Sequence, residues 1–290
     1  MGRSALLSAL PLLMGGPTQY QVSRSLRCNA ADSAYLSKTF GGAGTSTRKL
    51  TFSCWIKRGN VTMSGYRWLL GANGSAGDLF GFDTGADALK LFLNNGAGAS
   101  MTSSAVLRDP TAWYHLVLAI DTTQATGGNR VRMYVNGVEI TSWGTNSPPA
   151  QNYDMLYFAQ AQAHTIGANP GPGNHFDGLM CEVYLIDGQQ LTPSDFAKTD
   201  TTTNQWIPKK YAGTYGTNGF YLDFSDNATG STHIGKDRGG SNDFTDNNFS
   251  FTAGAGNDSL TDTPTEYADG SNGRGNHCTM NPLTETGSLA

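Results

Sequence analysis

In the stretch Arg130-Val131-Arg132-Met133-Tyr134-Val135-Asn136-Gly137-Val138-Glu139-Ile140, apolar Val131, Met133 and Val135 alternate with Arg130, Arg132 and Tyr134. Alternation at period two puts one row of a strand on a core and the other on the opposite face. Asn136-Gly137 then supplies the two φ > 0 positions of a type I′ turn, and Val138-Glu139-Ile140 returns. The segment reads as an antiparallel hairpin, and the fold built outward from it is antiparallel β.

Upstream, Trp113-Tyr114-His115-Leu116-Val117-Leu118-Ala119-Ile120-Asp121 is an almost continuous apolar run that suits a central strand. Further upstream, Leu50, Phe52, Cys54 and Ile56 share one strand face, with Thr51, Ser53, Trp55 and Lys57 on the other. Trp55, on the outer row, needs cover from a loop or a second surface. Downstream come His164-Thr165-Ile166-Gly167, a Gly/Pro/Asn loop, and a strand through Phe176 to Ile186. Strict alternation there would point Leu179, Cys181, Val183 and Leu185 one way and Glu182 and Tyr184 the other. Leu191 to Phe196 resembles a short helical turn, with Thr192 as N-cap and Pro193 at the first helical position. Many short strands joined by Gly and Asn turns point to a two-sheet sandwich.

Composition agrees. Of 290 residues, 38% are hydrophobic, only 14% are charged and 37 are Gly. The net charge of −4 offers no basic field for phosphates, which argues against nucleic acid as a partner. Cys28, Cys54, Cys181 and Cys278 are widely spaced with no CxxC, so neither a thiolate zinc site nor a redox pair is supported. Cys54 and Cys181 fall inside apolar patterns and read as small buried hydrophobes. The apolar run from Ser4 to Met14 is too short to span a membrane, which takes about 20 residues. Arg3 is the sole base before it and no A-x-A site follows, so it reads as an arm rather than a secretory leader. Leu6, Leu7 and Leu10 share one helical face, with Leu12 and Leu13 beyond Pro11, and all five are candidate assembly contacts.

Seven short blocks, in order, resemble the laminin-G-like, concanavalin-A-like jelly roll. They are Ser53-Cys54-Trp55-Ile56-Lys57, Trp113-Tyr114-His115, Tyr134-Val135-Asn136-Gly137, Ile166-Gly167, Phe176-Asp177-Gly178, Glu182-Val183 and Leu191 to Phe196. The likeness spans roughly residues 25 to 200. Cys181 departs from it, standing where the family usually carries Asp. Ser25 to Leu36, Gly219 to Asn227 and the tail from Asn242 to Leu283 resemble a narrower group, laminin-G-like proteins of bacteriophage particles. That resemblance implies a virion location, other virion proteins as partners, a homo-oligomer with a trimer as the expected state, and a host surface glycan as a further partner. Residues 219 to 252 also look like the opening of a laminin-G-like domain. They either complete the same sandwich or form a separate lobe. The expected organisation is an arm over 1–24, a jelly roll over 25–200, a linker over 201–218 and a β segment over 219–290.

The fold also houses glucanases, so catalysis needs testing. Retaining glycosidases need paired carboxylates. No Glu-x-Asp-x-x-Glu exists, and the nearest pair, Glu182 and Asp187, would fall on opposite faces of a regular strand. Gly230 to Lys236 mimics a phosphate loop, but Asp237 replaces the Ser/Thr. The expectation is therefore no catalytic residues, no metal site and no cofactor. Calcium stays an open alternative at the Asp223/Asp226/Asn227 and Asp243/Asp246/Asn247 loops. Tyr66, Trp68, Trp143 and Tyr153, in or near loops, are the candidate glycan contacts, since aromatic faces stack on sugar rings. The sequence thus reads as a non-enzymatic structural or attachment component of a phage particle, as a tail fibre, head fibre or capsid decoration. The alternative is a free-standing carbohydrate-binding module.

Overall fold

The computed structural model describes residues 20–61, 64–201, 203–228, 233–252 and 254–265. In chain order the strands begin β1 (Ser25–Cys28), β2 (Tyr35–Thr39), β3 (Lys49–Arg58), β4 (Arg67–Ala72), β5 (Asp78–Phe82) and β6 (Ala88–Leu93). Next come β7 (Ala99–Val106), β8 (Trp113–Asp121), β9 (Val131–Val135), β10 (Val138–Glu139), β11 (Trp143–Ser147) and β12 (Ala163–Ile166). The last six are β13 (Gly178–Asp187), β14 (Ala197–Thr199), β15 (Trp206–Pro208), β16 (Phe220–Leu222), β17 (Thr245–Asn247) and β18 (Ser259–Leu260). Helical structure among the described residues is limited to short 3-10 turns.

The strands form two antiparallel sheets of eight. The first runs β10-β9-β8-β3-β13-β1-β18, with β16 also on β13. The second runs β11-β7-β6-β5-β4-β12-β2-β17. Between them lies one apolar core, with Phe52, Leu118, Met133 and Val183 from the first sheet against Phe80, Leu91, Met101 and Ile166 from the second. This is the two-sheet sandwich that the alternating patterns imply, in the jelly-roll form that the resemblance implies. The hairpin forms as read: Asn136 and Gly137 have φ of 48° and 83°, and Val138 pairs with Val135. At Thr192 the backbone N–H donates to the Asp195 carboxylate, closing the short turn.

The outer face of the first sheet is covered as well. Val117, Ala119, Tyr184 and Tyr221 pack there against Phe196 and Tyr211. Trp55, Trp113 and Cys181 pack against Ala197, with Trp206 and Leu179 alongside. Ala197 on β14 and Trp206 on β15 therefore supply the cover Trp55 needed, and β8 is apolar on both faces because both are buried.

Strict alternation in β13 fails. Cys181 opposes Trp55 and Tyr184 opposes Ser53, so Glu182 and Val183 together face the single residue Cys54. Glu182 takes φ 51°, which marks a bulge. One extra residue exchanges the two faces. Met180, Val183 and Leu185 enter the core, whereas Leu179 and Cys181 turn to the outer side. Leu179 and Val135 are half-buried rather than buried. Cys28, Cys54 and Cys181 are buried free thiols, and Cys278 lies outside the described residues.

The chain after residue 218 contributes strands to both sheets. Leu222 pairs with Val183, Asp246 with Leu36 and Leu26 with Ser259. Phe220, Leu222, Phe224, Ile234 and Phe244 all belong to the central core. At the other end, Val22 is buried beside Trp55, and its N–H donates to Thr265 Oγ1.

Candidate functional site

Alternation in the second sheet sends Phe80, Phe82, Leu89, Leu91 and Leu93 inward, so Leu79 and Phe92 face outward beside Trp68. Tyr66, just before β4, stacks on Trp68 with ring centroids 4.8 Å apart and planes 17° from parallel. Phe92 meets Tyr66 edge-on at 5.8 Å and Trp68 at 6.0 Å. The loop following β12 closes over this face. Trp68 N–H donates to the Asn174 carbonyl and Asn169 N–H to that of Gly173. The loop can lie this low because Gly71 has no side chain; a Cβ there would meet Pro170 Cδ at 2.7 Å and the Ala168 carbonyl at 2.9 Å.

The result is a hollow of about 130 Å³ lined by Tyr66, Trp68, Leu79, Phe92 and three asparagines, Asn95, Asn169 and Asn174. Asn169 is only 5% exposed, and its Oδ1 has no hydrogen-bond partner within the chain. Lys90 Nζ sits 4.5 Å from the Phe92 ring centroid, donates to Thr102 Oγ1 and lies 3.7 Å from Asp83. Its charge is thus matched. Burial, and then the Asp83 carboxylate, push the Tyr66 phenol pKa up, so it stays a neutral donor at physiological pH.

Of the four aromatic candidates, the fold brings Tyr66 and Trp68 together. Trp68 is 1% exposed and forms the floor, while Tyr66 keeps a partly open face. Trp143 on β11 and Tyr153 instead pack, half-buried, against the edge of the central core. Leu6, Leu7, Leu10, Leu12 and Leu13 lie outside the described residues. Sequence reading passed over Phe92 and Asn169. The first had a signal, since Leu89, Leu91 and Leu93 point inward and Phe92 must then point out. The second had none, because its position depends on how the loop folds back.

A larger cleft of about 670 Å³ opens at one end of the first sheet, around Arg27, Lys57, Arg58 and Asp177. Its three cations are already held: Arg27 by Asp258, Lys57 by Asp262 and Arg58 by Asp87, each at 2.8 Å. It has no aromatic wall. We therefore favour the smaller hollow as a recognition surface.

Several other titratable groups are held by partners within the fold. Glu182 is buried and accepts hydrogen bonds from the phenols of Tyr20 (2.9 Å), Tyr184 (2.7 Å) and Tyr221 (2.8 Å). Asp187 accepts from the backbone N–H groups of Ser46 and Asn218, both at 3.1 Å, and from Thr45. Neither carboxylate of this pair is open to a substrate. His115 accepts from Trp206 Nε1 at one ring nitrogen and meets Ser53 Oγ at the other; burial pushes its pKa down to about 3, so it is neutral. Lys236 pairs with Asp243 at 2.7 Å rather than facing a phosphate; residues 229–232 of that loop lie outside the described set. Asp223 accepts from Ser225, and Asp226 from Ala228 and His233. Among the described residues, no three His, Cys, Asp or Glu side chains converge on a metal position.

The family model for the concanavalin A-like lectin/glucanases superfamily, of laminin-G type, matches residues 31–197. The chain belongs to this superfamily. Among solved structures, this concanavalin A-like chain is similar to a proposed carbohydrate-binding protein from Bacteroides ovatus, at 19% identity and TM-score 0.49. That match covers 79% of the chain and 59% of the Bacteroides protein. It is also similar to the heptameric SAP-like pentraxin of Limulus polyphemus, at 14% identity and TM-score 0.44, covering 65% of the chain and 92% of the pentraxin. Mouse laminin alpha1 domains LG4-5 match at 16% identity and TM-score 0.40, over 66% of the chain and 48% of theirs. The chain thus spans about three fifths of the Bacteroides protein and half of the laminin fragment. No curated protein matches it.

Proposed function

We propose that this chain is a non-catalytic glycan-binding domain that serves as an attachment component of a bacteriophage particle. The observation that carries the glycan reading is the outward aromatic hollow. Tyr66 stacks on a buried Trp68, Phe92 walls the side, and asparagine amides ring the opening. Apolar ring faces beside neutral hydrogen-bonding groups are the complement of a sugar, which is apolar on its C–H face and polar at its edge. Superfamily membership fits a lectin-like role. The buried state of Glu182 and Asp187 supports binding without hydrolysis. The particle reading rests on the likeness of residues 25–36, 219–227 and 242–283 to phage proteins, with Leu6, Leu7 and Leu10 as contacts to other virion proteins or to sister subunits of a trimer.

Tyr66 is the residue to vary, because it is half-exposed and Trp68 is needed in the floor. On a glycan array the wild-type chain should bind a defined subset of sugars, and Tyr66→Ala should weaken that binding about tenfold, the worth of roughly 1.4 kcal/mol of lost stacking. An array with no hits, or binding untouched by Tyr66→Ala and Phe92→Ala, would remove the hollow from the function. Mass spectrometry of purified particles should find the chain among their proteins; its absence would sink the particle reading and leave the free-standing module.

A further inference from the structure

Resting on the reading of that hollow as a sugar contact, we propose that the group it takes is the acetamido substituent of an N-acetylated amino sugar. Size is the first argument. At about 130 Å³, the hollow is well under the roughly 300 Å³ at which pockets begin to bury a whole small-molecule ligand. An acetamido group has a third of the heavy atoms of a hexose. The hollow takes a substituent, and the ring must lie outside it, over the open face of Tyr66.

Its walls give the second argument. Trp68, Leu79 and Phe92 offer a methyl group an apolar seat, where a hydroxyl would lose its hydrogen bonds to water. The third is Asn169. The residue is 5% exposed, and its side-chain Oδ1 is buried with no hydrogen-bond partner within the chain. An amide has one donor end and one acceptor end, so in either rotamer it seeks a partner. A secondary amide carries both complements, an N–H and a C=O, on the same group as the methyl. Charge supplies the fourth. Lys90 is matched by Asp83 and Thr102, so a carboxylate or phosphate would meet no free cation there. The substituent is neutral. Exposed Asn95 and Asn174 at the rim are placed for the hydroxyls of the ring outside.

Calorimetric titration of the full chain with two matched sugar pairs tests this. N,N′-diacetylchitobiose is set against cellobiose, and N-acetylgalactosamine against galactose. Within each pair the acetamido group is the difference that matters. In at least one pair the acetylated sugar should bind ten-fold or more tightly than its partner. Asn169→Ala should bring that ratio close to one with the melting temperature unchanged, since the Asn169 Oδ1 has no native hydrogen bond to lose. Equal affinities within both pairs, with Tyr66→Ala still abolishing them, would overturn the acetamido assignment and leave the sugar site standing. No binding by any of the four would also overturn it, and the wider array then decides whether the hollow binds sugars at all.

Discussion

Glu182 is 2% exposed and is the acceptor for three phenols. Burial pushes its pKa up from 4.5 to about 7, against the hydrogen bonds from Tyr184, Tyr221 and Tyr20, which pull it down. A raised value means that the folded protein holds this proton more tightly than the unfolded chain. Its contribution to stability is full below about pH 4.5 and fades as pH rises through about 7. The slope is at most about 1.4 kcal/mol per pH unit. In urea titrations the wild type should lose stability between pH 5 and pH 8, and Glu182→Gln, which stays neutral, should flatten that part of the profile. Parallel profiles would show that Glu182 is ionised throughout. Part of this residue's setting was legible: Glu182-Val183 belongs to the seven blocks. Tyr184, two residues on, shares its face in the alternating pattern. Tyr20 and Tyr221 were not legible, because they lie far from it in sequence.

Among the elements, the β9–β10 hairpin was legible because everything that shapes it is local. Gly137 holds φ at 83°, and a Cβ there would lie 3.1 Å from the Trp206 ring. Gly137→Ala should therefore cost about 1–2 kcal/mol from the left-handed backbone alone, read as a lower urea midpoint with an unchanged slope. A midpoint equal to wild type would mean that the turn relaxes to another type. β13 shows the opposite case. Its apolar pattern was clear, but the bulge at Glu182 was not, since the pattern leaves two registers open and pairing with β3 chooses between them. The aromatic hollow divides the same way. Tyr66 and Trp68 are close in sequence, whereas Phe92 and Asn169 reach them only across the sheet and through a folded-back loop.

For the molecule as a whole, the apolar core draws on both ends of the chain. Phe220, Leu222, Phe224, Ile234 and Phe244 are buried in it, each worth about 1.5–3 kcal/mol. A chain ending at residue 200 loses all five and exposes the edges of β13, β1 and β2 that now carry β16, β18 and β17. Together those residues match the whole stability of a typical domain, roughly 5–15 kcal/mol. The truncated chain should aggregate through its open edges, seen as loss of the monomer-sized peak in size-exclusion chromatography with light scattering. A soluble truncated form that melts at the wild-type temperature would show that the later residues form an independent unit.

The sequence by itself determined the fold class, because alternation at period two and a type I′ turn are set by neighbours a few residues apart. It also determined the polar, weakly charged character that argues against phosphate partners. Tertiary structure alone decided which face Leu179 and Cys181 occupy, which aromatics gather into one hollow, and which sheet each late strand joins. Those outcomes turn on contacts between residues tens to hundreds of positions apart. A local pattern fixes what a segment becomes, whereas its partner is chosen by the packing of the whole chain.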